Sequence, residues 1–541
     1  MRVNARALAS GGVLEVDVCI AGAGPAGLTL AVELERAGMT VGLLERGGEP
    51  LTGEVEGMYP SLESARASGV GGTATIWDAE VARGRYGARY APLAAIDFEE
   101  REGFPMSGWP FSRRELDPWY ERAHVLCEAG PFPYDSDTAD GAVAELGEGL
   151  KTDVFRFGLG TVFTGRHRET VQRSPRVYVI EPATAVGFET VSASATELRA
   201  AHAPGCFFGV RARTYVLALG GIENARFLLQ AGLGNQHDLV GRFLMDHPTA
   251  RCRLEAADGV ADRLHACDVR ELDGRSVLRT IALPEATLAR ERLLNGGFFV
   301  VPALDRELRA LESSHALVAA ARRRRLRTVR QELRNVVAGL DAIALAAHRR
   351  LVRKAPILRP TARLSPRMGL LNTLGVGAVT GWSQLGSDPR TFDVYHVVEQ
   401  APEPERRVTL GSGRDCFGRR LAHVRFFVSD GELASLERTE HLVATELARA
   451  GLGRLKTARD LTPDGDVTAA LHASVHHHLG TTRMHVDPRR GVVDANARVH
   501  GLRNVFVAGG SIFPTSGYVN PTLTIVALAA RLAAHLKGVG T

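Results

Sequence analysis

The sequence predicts an α/β protein: a Rossmann-like domain joined to an α+β second domain built on a mixed, largely antiparallel sheet. Three observations carry this reading. A strand–turn–helix–strand pattern with a GxGxxG turn occupies residues 16–45. From about Pro248 the pattern changes to short alternating runs such as Phe392–Val398 and Arg406–Leu410, the period of half-buried antiparallel strands. At 541 residues the chain also exceeds what one hydrophobic core organises.

Val16–Ala21 is a short β-type run that enters Gly22-Ala23-Gly24-Pro25-Ala26-Gly27, and an Ala/Leu/Glu-rich helix follows to about Ala37. Gly38 ends that helix, and Thr40–Glu45 reads as the next strand. In this unit Gly22 permits the tight turn, Gly24 lets the backbone approach a pyrophosphate, and Gly27 lets helix pack on strand. The helix start at Pro25 and Ala26 offers free N–H groups and a partial positive charge to phosphates. Glu45, with Arg46 beside it, stands about 20 residues on, where a carboxylate holds ribose hydroxyls. FAD and NAD both fit this unit.

Residues 69–77, Gly-Val-Gly-Gly-Thr-Ala-Thr-Ile-Trp, form a second glycine-rich loop. Pro92–Glu128 mixes Pro, Trp and Tyr and becomes helical after Ser112. Arg176–Ile180 and Thr214–Leu219 are strand-like, and the latter runs into Gly220-Gly221, which lets a returning backbone lie close to a cofactor. An Arg-rich helical stretch, 308–354, includes Arg322–Arg325 and reads as solvated helices, since it lacks Trp or Phe anchors. The expected organisation is a cofactor domain from 12–80, 151–248 and 466–541, with 81–150 as a lid or substrate segment and 249–465 as the substrate domain.

Composition excludes several classes. The chain is 45% hydrophobic and 23% charged with a net charge of +5, ordinary globular values. Its basic residues form no clustered face interleaved with aromatics, so nucleic-acid binding is not expected. The six cysteines are scattered without a CxxC, against a zinc site or disulfide framework and in favour of a reducing compartment. The N-terminus lacks a signal-peptide apolar region and the longest apolar runs are too short to span a bilayer. A cytoplasmic protein is the expectation.

The C-terminal residues carry the chemistry. Asn520-Pro521 precedes a long apolar helix from Thr522 to about Leu536, with Asn as N-cap and Pro as first helical residue. His476-His477-His478 suggests metal at first sight. On an extended strand, however, adjacent side chains face opposite ways, and no carboxylate or Cys joins at ligand spacing. A histidine is also the usual group to take a hydroxyl proton as hydride leaves carbon.

Taken together, these residues resemble the glucose–methanol–choline (GMC) oxidoreductases along nearly the whole chain. The matching pieces are GAGPAG (22–27), GGTATIW (71–77), SGWPFSRRELDPWYERA (107–123), VLALGGIENARFLL (216–229), VGRFLMDHP (240–248), EQAPEPERRVTL (399–410), HHLGTTRM (477–484) and the closing GGSIFP…NPTLTI. The C-terminal pattern is most similar to the pyranose-oxidase and glycoside-3-oxidase branch.

The resemblance implies non-covalent FAD and oxidation of an alcohol group, of a sugar, a glycoside or a sugar-bearing natural product. It places the catalytic base at His477, with Asn520 hydrogen-bonding the substrate oxygen and hydride passing to flavin N5. It implies that Gly71, Gly72 and Thr73 run along the isoalloxazine, that Gly510 and Ser511 approach the pyrophosphate or ribityl chain, and that Pro521 and Thr522 present a helix start to the flavin. Gln400 is an implied substrate contact; His476 and His478 are candidate substrate contacts for which a packing or supporting role is the favoured reading. Ile76 stands where fungal pyranose oxidases tether flavin through a histidine, which excludes that link; Gly509 replaces a common Asp. The implied partners are a small alcohol and an electron acceptor, oxygen or a quinone or protein. A flavin-bound lyase or decarboxylase without net redox, and a dehydrogenase of a non-sugar alcohol, are the alternatives.

Overall fold

The computed structural model describes residues 1–8, 10–48, 51–76, 79–82, 85–132, 134, 146, 149–272, 275–302, 333–334, 336–337, 390–462, 464–472 and 476–539. All but four residues of the Arg-rich stretch 308–354 lie outside them.

The predicted Rossmann unit is present. Val13–Ala21, the helix Pro25–Arg36 and Val41–Leu44 follow in order, and the two strands pair in parallel with Val18 opposite Val41. Val177–Glu181 extends the sheet beyond Val41–Leu44, and Cys206–Leu217 flanks Val13–Ala21 on its other side, both in parallel. Val505–Val507 also pairs with Cys206–Leu217 in parallel, opposite Tyr215–Leu217. The C-terminal block therefore enters the sheet at the same end as the GxGxxG turn, where open α/β sheets bind ligands.

The second sheet is antiparallel and larger. Its order runs Gly453–Lys456, Thr249–Ala256, Thr391–Val398, Gly296–Pro302, Arg275–Ala282, Lys151–Leu159, Arg85–Tyr90, Ala79–Ala82. Two expectations change. Lys151–Leu159 pairs with Arg275–Ala282 and Arg85–Tyr90, so this strand belongs to the second sheet and not to the cofactor domain. Its run Val154-Phe155-Arg156-Phe157 reads as a buried strand of either sheet, and only pairing separates them. Arg407–Arg414 lies in a separate three-stranded sheet, antiparallel to Arg420–Phe426, which in turn pairs in parallel with Gly53–Gly57.

The helix Arg113–Cys127 starts at Ser112 through a capping box with Glu115. It packs against the C-terminal helix Thr522–Val539, which also lies on Pro25–Arg36. Leu523, Val526, Ala527, Leu528, Ala530, Leu532, Ala533 and Leu536 are all buried there, which is why that helix is so largely apolar. Tyr120 Oη and Thr524 Oγ1, 2.8 Å apart, link the two helices inside the contact. Among the described residues no helix is long and apolar enough to cross a membrane. All six cysteines are free.

Candidate active site

The glycine turn is built as its sequence requires. Gly22 has φ +105°, and a Cβ there would meet Ala218 O at 2.4 Å; at Gly27 a Cβ would lie 1.9 Å from Gly22 O. At Gly24 nothing stands within 4 Å of that position. Gly24 is the N-cap of the helix and offers no side-chain cap, and the first intrahelical bond is Leu28 N–H to Gly24 O at 2.9 Å. The open cradle at Gly24 and the uncapped N–H groups of Ala26 and Gly27 fit a pyrophosphate.

The second glycine loop lies on this turn. Gly71 N–H donates to Ala23 O at 2.8 Å, and a Cβ on Gly72 would approach Gly24 Cα to 3.0 Å. Thr73 continues that loop, in the short helix Gly72–Ile76. Glu45 is buried and accepts N–H groups from Ala23 (3.0 Å), Gly69 (3.0 Å) and Gly47 (3.3 Å). Its carboxylate thus clamps three backbone segments, leaving one Oε2 lone pair for a ribose hydroxyl. Arg46 Nε is a buried donor without a partner, which also fits an acceptor from a bound nucleotide.

The three histidines do not lie on a strand. His476 has φ +67°, and Leu479 is the first paired residue, in an isolated antiparallel bridge with Met245. That bridge, with both N–H···O distances at 3.0 Å, brings the segment 245–247 alongside 477–479. Asp246 Oδ1 accepts the backbone N–H of both His477 (3.1 Å) and His247 (2.7 Å), and Oδ2 accepts from Tyr59 Oη (2.9 Å).

The two rings then meet, His477 Nδ1 to His247 Nδ1 at 2.8 Å, edge to face at 4.9 Å between centroids. On the other side of the His477 ring, Nε2 lies 3.4 Å from Asn520 Nδ2. Burial first, and then the neighbouring His247, holds His477 well below the usual imidazole pKa. His247 is lowered by burial in the same way, with the carbonyls of Ser516 and Gly517 facing its ring.

Asn520 is half-buried and does not cap the C-terminal helix. The first helical bond is Ile525 N–H to Pro521 O at 2.9 Å, so the cap position falls on Pro521 and the Asn520 amide turns to His477. The loop before it is held tightly. Trp109 Nε1 donates to Thr515 Oγ1 (2.7 Å), which donates to Asp97 O (2.6 Å), and Gln400 N donates to Ser516 Oγ (3.2 Å). Gln400 Oε1 accepts Asp246 N–H at 2.9 Å, and its Nε2 is buried without a partner.

The remaining predicted residues are placed as follows. The His478 ring stands 5.9 Å from Tyr59, and its Cβ and carbonyl crowd Gly221; burial lowers it to about 4. Gly510 and Ser511 pack on the strand after His478, their carbonyls accepting from Gly480 (3.1 Å) and Thr482 (2.8 Å). Ser511 Oγ takes the Asn224 amide at 2.9 Å. Gly509, with φ +114°, has nothing within 4 Å of a Cβ and is the open position of that loop. Thr522 is buried at the helix start, next to Pro521. His247, Asp246 and Tyr59 were not expected. The signal for the first two was the MDHP piece at 245–248, which sequence alone could not bring beside residue 477.

A parallel nucleotide-type sheet, a glycine cradle and a half-buried histidine–amide pair beside a second, antiparallel sheet fit a flavoprotein. Residues 15–54 match the FAD binding domain family and residues 402–529 match the GMC oxidoreductase family. The chain is thus similar to the GMC oxidoreductases over its C-terminal segment and to FAD-binding domains at its N-terminal glycine turn.

Among similar proteins is a C-glycoside 3-oxidase of Microbacterium trichothecenolyticum, 34% identical over 123 residues, 23% of this chain and 22% of that one. Another is a 6'''-hydroxyparomomycin C oxidase of Streptomyces lividus, 48% identical over 73 residues, 13% of each chain. The fructose dehydrogenase large subunit of Gluconobacter japonicus is 26% identical over 342 residues, 60% of this chain and 47% of that one. The chain thus spans about half or less of the curated relatives it matches. Among solved structures, formate oxidase has a TM-score of 0.54 at 15% identity, covering 98% of this chain and 99% of that one. An FAD-dependent oxidoreductase from Chaetomium thermophilum has a TM-score of 0.51 at 16% identity, covering 97% and 99%. Both likenesses show the fold.

Proposed function

We propose that the protein oxidises an alcohol group of a sugar, a glycoside or a sugar-bearing natural product, with non-covalent FAD, and that His477 is the base. The observation that carries this reading is the His477 ring, deeply set and held between His247 at Nδ1 and Asn520 at Nε2.

The hydrogen bonds order the protons. Asn520 Nδ2 donates toward His477 Nε2, which leaves the His477 proton on Nδ1 to be donated to His247 Nδ1. His247 then carries its own proton on Nε2, which makes no hydrogen bond among the described residues. In this tautomer His477 presents a lone pair at Nε2, and its lowered pKa keeps it unprotonated near neutral pH. A hydroxyl placed between Nε2 and Asn520 gives its proton to Nε2, while the amide of Asn520 holds the oxygen. Bound FAD supplies the acceptor for the two electrons. The charge that forms on His477 is met by Asp246, whose carboxylate already orients both histidine backbones.

The oxidase and dehydrogenase relatives named for glycosides, paromomycin derivatives and fructose support the sugar reading of the substrate. Oxygen, a quinone or a protein would serve as the electron acceptor. The test is anaerobic mixing of the flavin-loaded enzyme with a panel of sugars and glycosides. A substrate bleaches the flavin, and His477→Ala slows that step by about 10²–10⁴-fold, the usual worth of a general base. A variant that reduced its flavin at the wild-type rate would remove His477 from the role.

A further inference from the structure

The antiparallel sheet carries a guanidinium that the proton relay does not use. Arg89 stands in the strand Arg85–Tyr90, opposite Phe157 of Lys151–Leu159. Its guanidinium lies 5.0 Å from the centroid of Phe299 and 5.8 Å from that of Phe155, and those two rings are 5.4 Å apart. Phe155 in turn packs at 6.3 Å against Tyr518, two residues before Asn520. Arg89 is therefore on the face of the sheet that leads to the candidate base, and its charge is felt at His477.

Among the described residues this guanidinium has no hydrogen bond and no ion pair. Yet it is deeply set, enough for burial alone to lower it to about 10, while the residue keeps partial exposure. The nearby acid on the same face, Asp153, is already taken by Lys151 Nζ at 2.9 Å and Tyr518 Oη at 2.5 Å. The Tyr518 hydroxyl also meets Thr280 Oγ1 at 3.1 Å.

A deeply set arginine with five donors and no acceptor is costly, and folded proteins pair such groups. Among the described residues on that face, Lys151 is paired with Asp153, and Arg251 and Arg253 with Asp393. What completes the site is an anion, and a carboxylate supplies one charge in the planar geometry that guanidinium recognises. A dianion would leave an unmatched negative charge near Asp153.

Resting on the alcohol-oxidation reading above, we propose that Arg89 binds a carboxylate of the substrate, so that the hydroxyl oxidised at His477 belongs to an acidic sugar such as a uronic acid or its glycoside. The carboxylate stays intact: one hydride leaves the carbinol carbon for bound FAD, and the hydroxyl proton goes to His477. By the same charge, an amino sugar is disfavoured.

Two measurements on the flavin-loaded protein separate this inference from the reading beneath it. In the first, methyl β-glucuronide and methyl β-glucoside are titrated calorimetrically into wild type, Arg89→Gln and Arg89→Lys. The glucuronide is expected to bind wild type about 10-fold or more tightly than the glucoside. Arg89→Gln should abolish that preference without changing glucoside binding, and Arg89→Lys should retain part of it. Equal binding of the two sugars, binding of neither, or a parallel loss of both in Arg89→Gln overturns the Arg89 assignment, as does loss of flavin from that variant. In the second, both sugars are mixed anaerobically with the enzyme. Bleaching by the glucoside but not the glucuronide preserves alcohol oxidation and overturns the acidic substrate. Glucuronide that binds through Arg89 without bleaching the flavin supports the anion site and counts against oxidation of that substrate.

Discussion

The Nδ1 atoms of His247 and His477 lie 2.8 Å apart, so one ring must donate and the other accept. Asn520 on the far side of His477 resolves the direction, since its amide nitrogen faces Nε2. His247 is thereby a positioning residue. It touches His477, the proposed base, and sets which of its nitrogens is free, as second partners of catalytic and metal-binding histidines commonly do.

Replacing His247 with Ala removes the acceptor for the His477 Nδ1 proton and the neighbouring ring that helps depress its pKa. The limiting rate of anaerobic flavin reduction should fall by about 10-fold or more, within the worth of a misoriented base, and the acid limb of the pH profile should move upward. Substrate affinity should change little. An unchanged pH profile would reduce His247 to a packing residue.

The wild-type pH profile follows from the same site. In the proposed role His477 works unprotonated, and its pKa is held well below 6.5 by burial first and by His247 second. The rate of flavin reduction should therefore stay level as pH falls from 8 through 6.5, and decline only at lower pH. A half-maximum at or above pH 6.5 in stopped-flow measurements would contradict the burial of this ring.

Two glycines of the turn should fail differently. At Gly27 an added methyl meets a carbonyl 1.9 Å away, so Gly27→Ala should unfold or displace the turn. Gly24 has φ −75° and free space, so Gly24→Ala should fold and the apoprotein gain about 0.4–1 kcal/mol from the stiffer unfolded chain. The methyl would nevertheless occupy the cradle, and flavin content should drop. Flavin absorbance and thermal melting of the two apoproteins check this contrast.

His478 is a stability group by its surroundings. Its pKa is lowered to about 4 by burial, from about 6.5 in the unfolded chain. The unfolded state then binds the extra proton between these values. The contribution of neutral His478 is complete above pH 6.5 and is lost as pH falls toward 4, at about 1.4 kcal/mol per pH unit. His478→Gln should flatten the pH dependence of denaturant midpoints in this window by one proton's worth. An identical dependence would place the ring in water.

Arg101 and Glu399 form a buried two-point ion pair, with Nη1–Oε2 at 2.8 Å and Nη2–Oε1 at 2.6 Å, and Glu399 also accepts Asn295 N–H at 2.9 Å. Glu399→Ala should cost about 3–5 kcal/mol in chemical denaturation, because it strands a buried guanidinium. A cost under about 1 kcal/mol would show that water reaches Arg101.

Much of the fold is legible in the residues because its signals are local. The glycine spacing at 22–27 dictates a turn whatever surrounds it, and Val16–Ala21 and Thr40–Glu45 were expected within a few residues of their observed limits. The C-terminal helix was equally visible, extending to Val539 where Leu536 was expected. What failed was pairing. Nothing in Lys151–Leu159 says which sheet it joins, and Arg407–Arg414 found its partners at residues 420–426 and, through them, at 53–57.

The sequence by itself determined a nucleotide-binding turn, because that turn depends on spacing within a few residues, while the candidates His477 and Asn520 came from the resemblance of the C-terminal motifs to a known family. Only the tertiary structure decided that Asn520 faces His477 in place of capping its helix, that His247 lies against His477 from 230 residues away, and that Arg89 has no hydrogen bond or ion pair among the described residues. These are relations across the chain. They follow from which backbones bridge and which charges find partners when the core closes, and neither is encoded in local spacing.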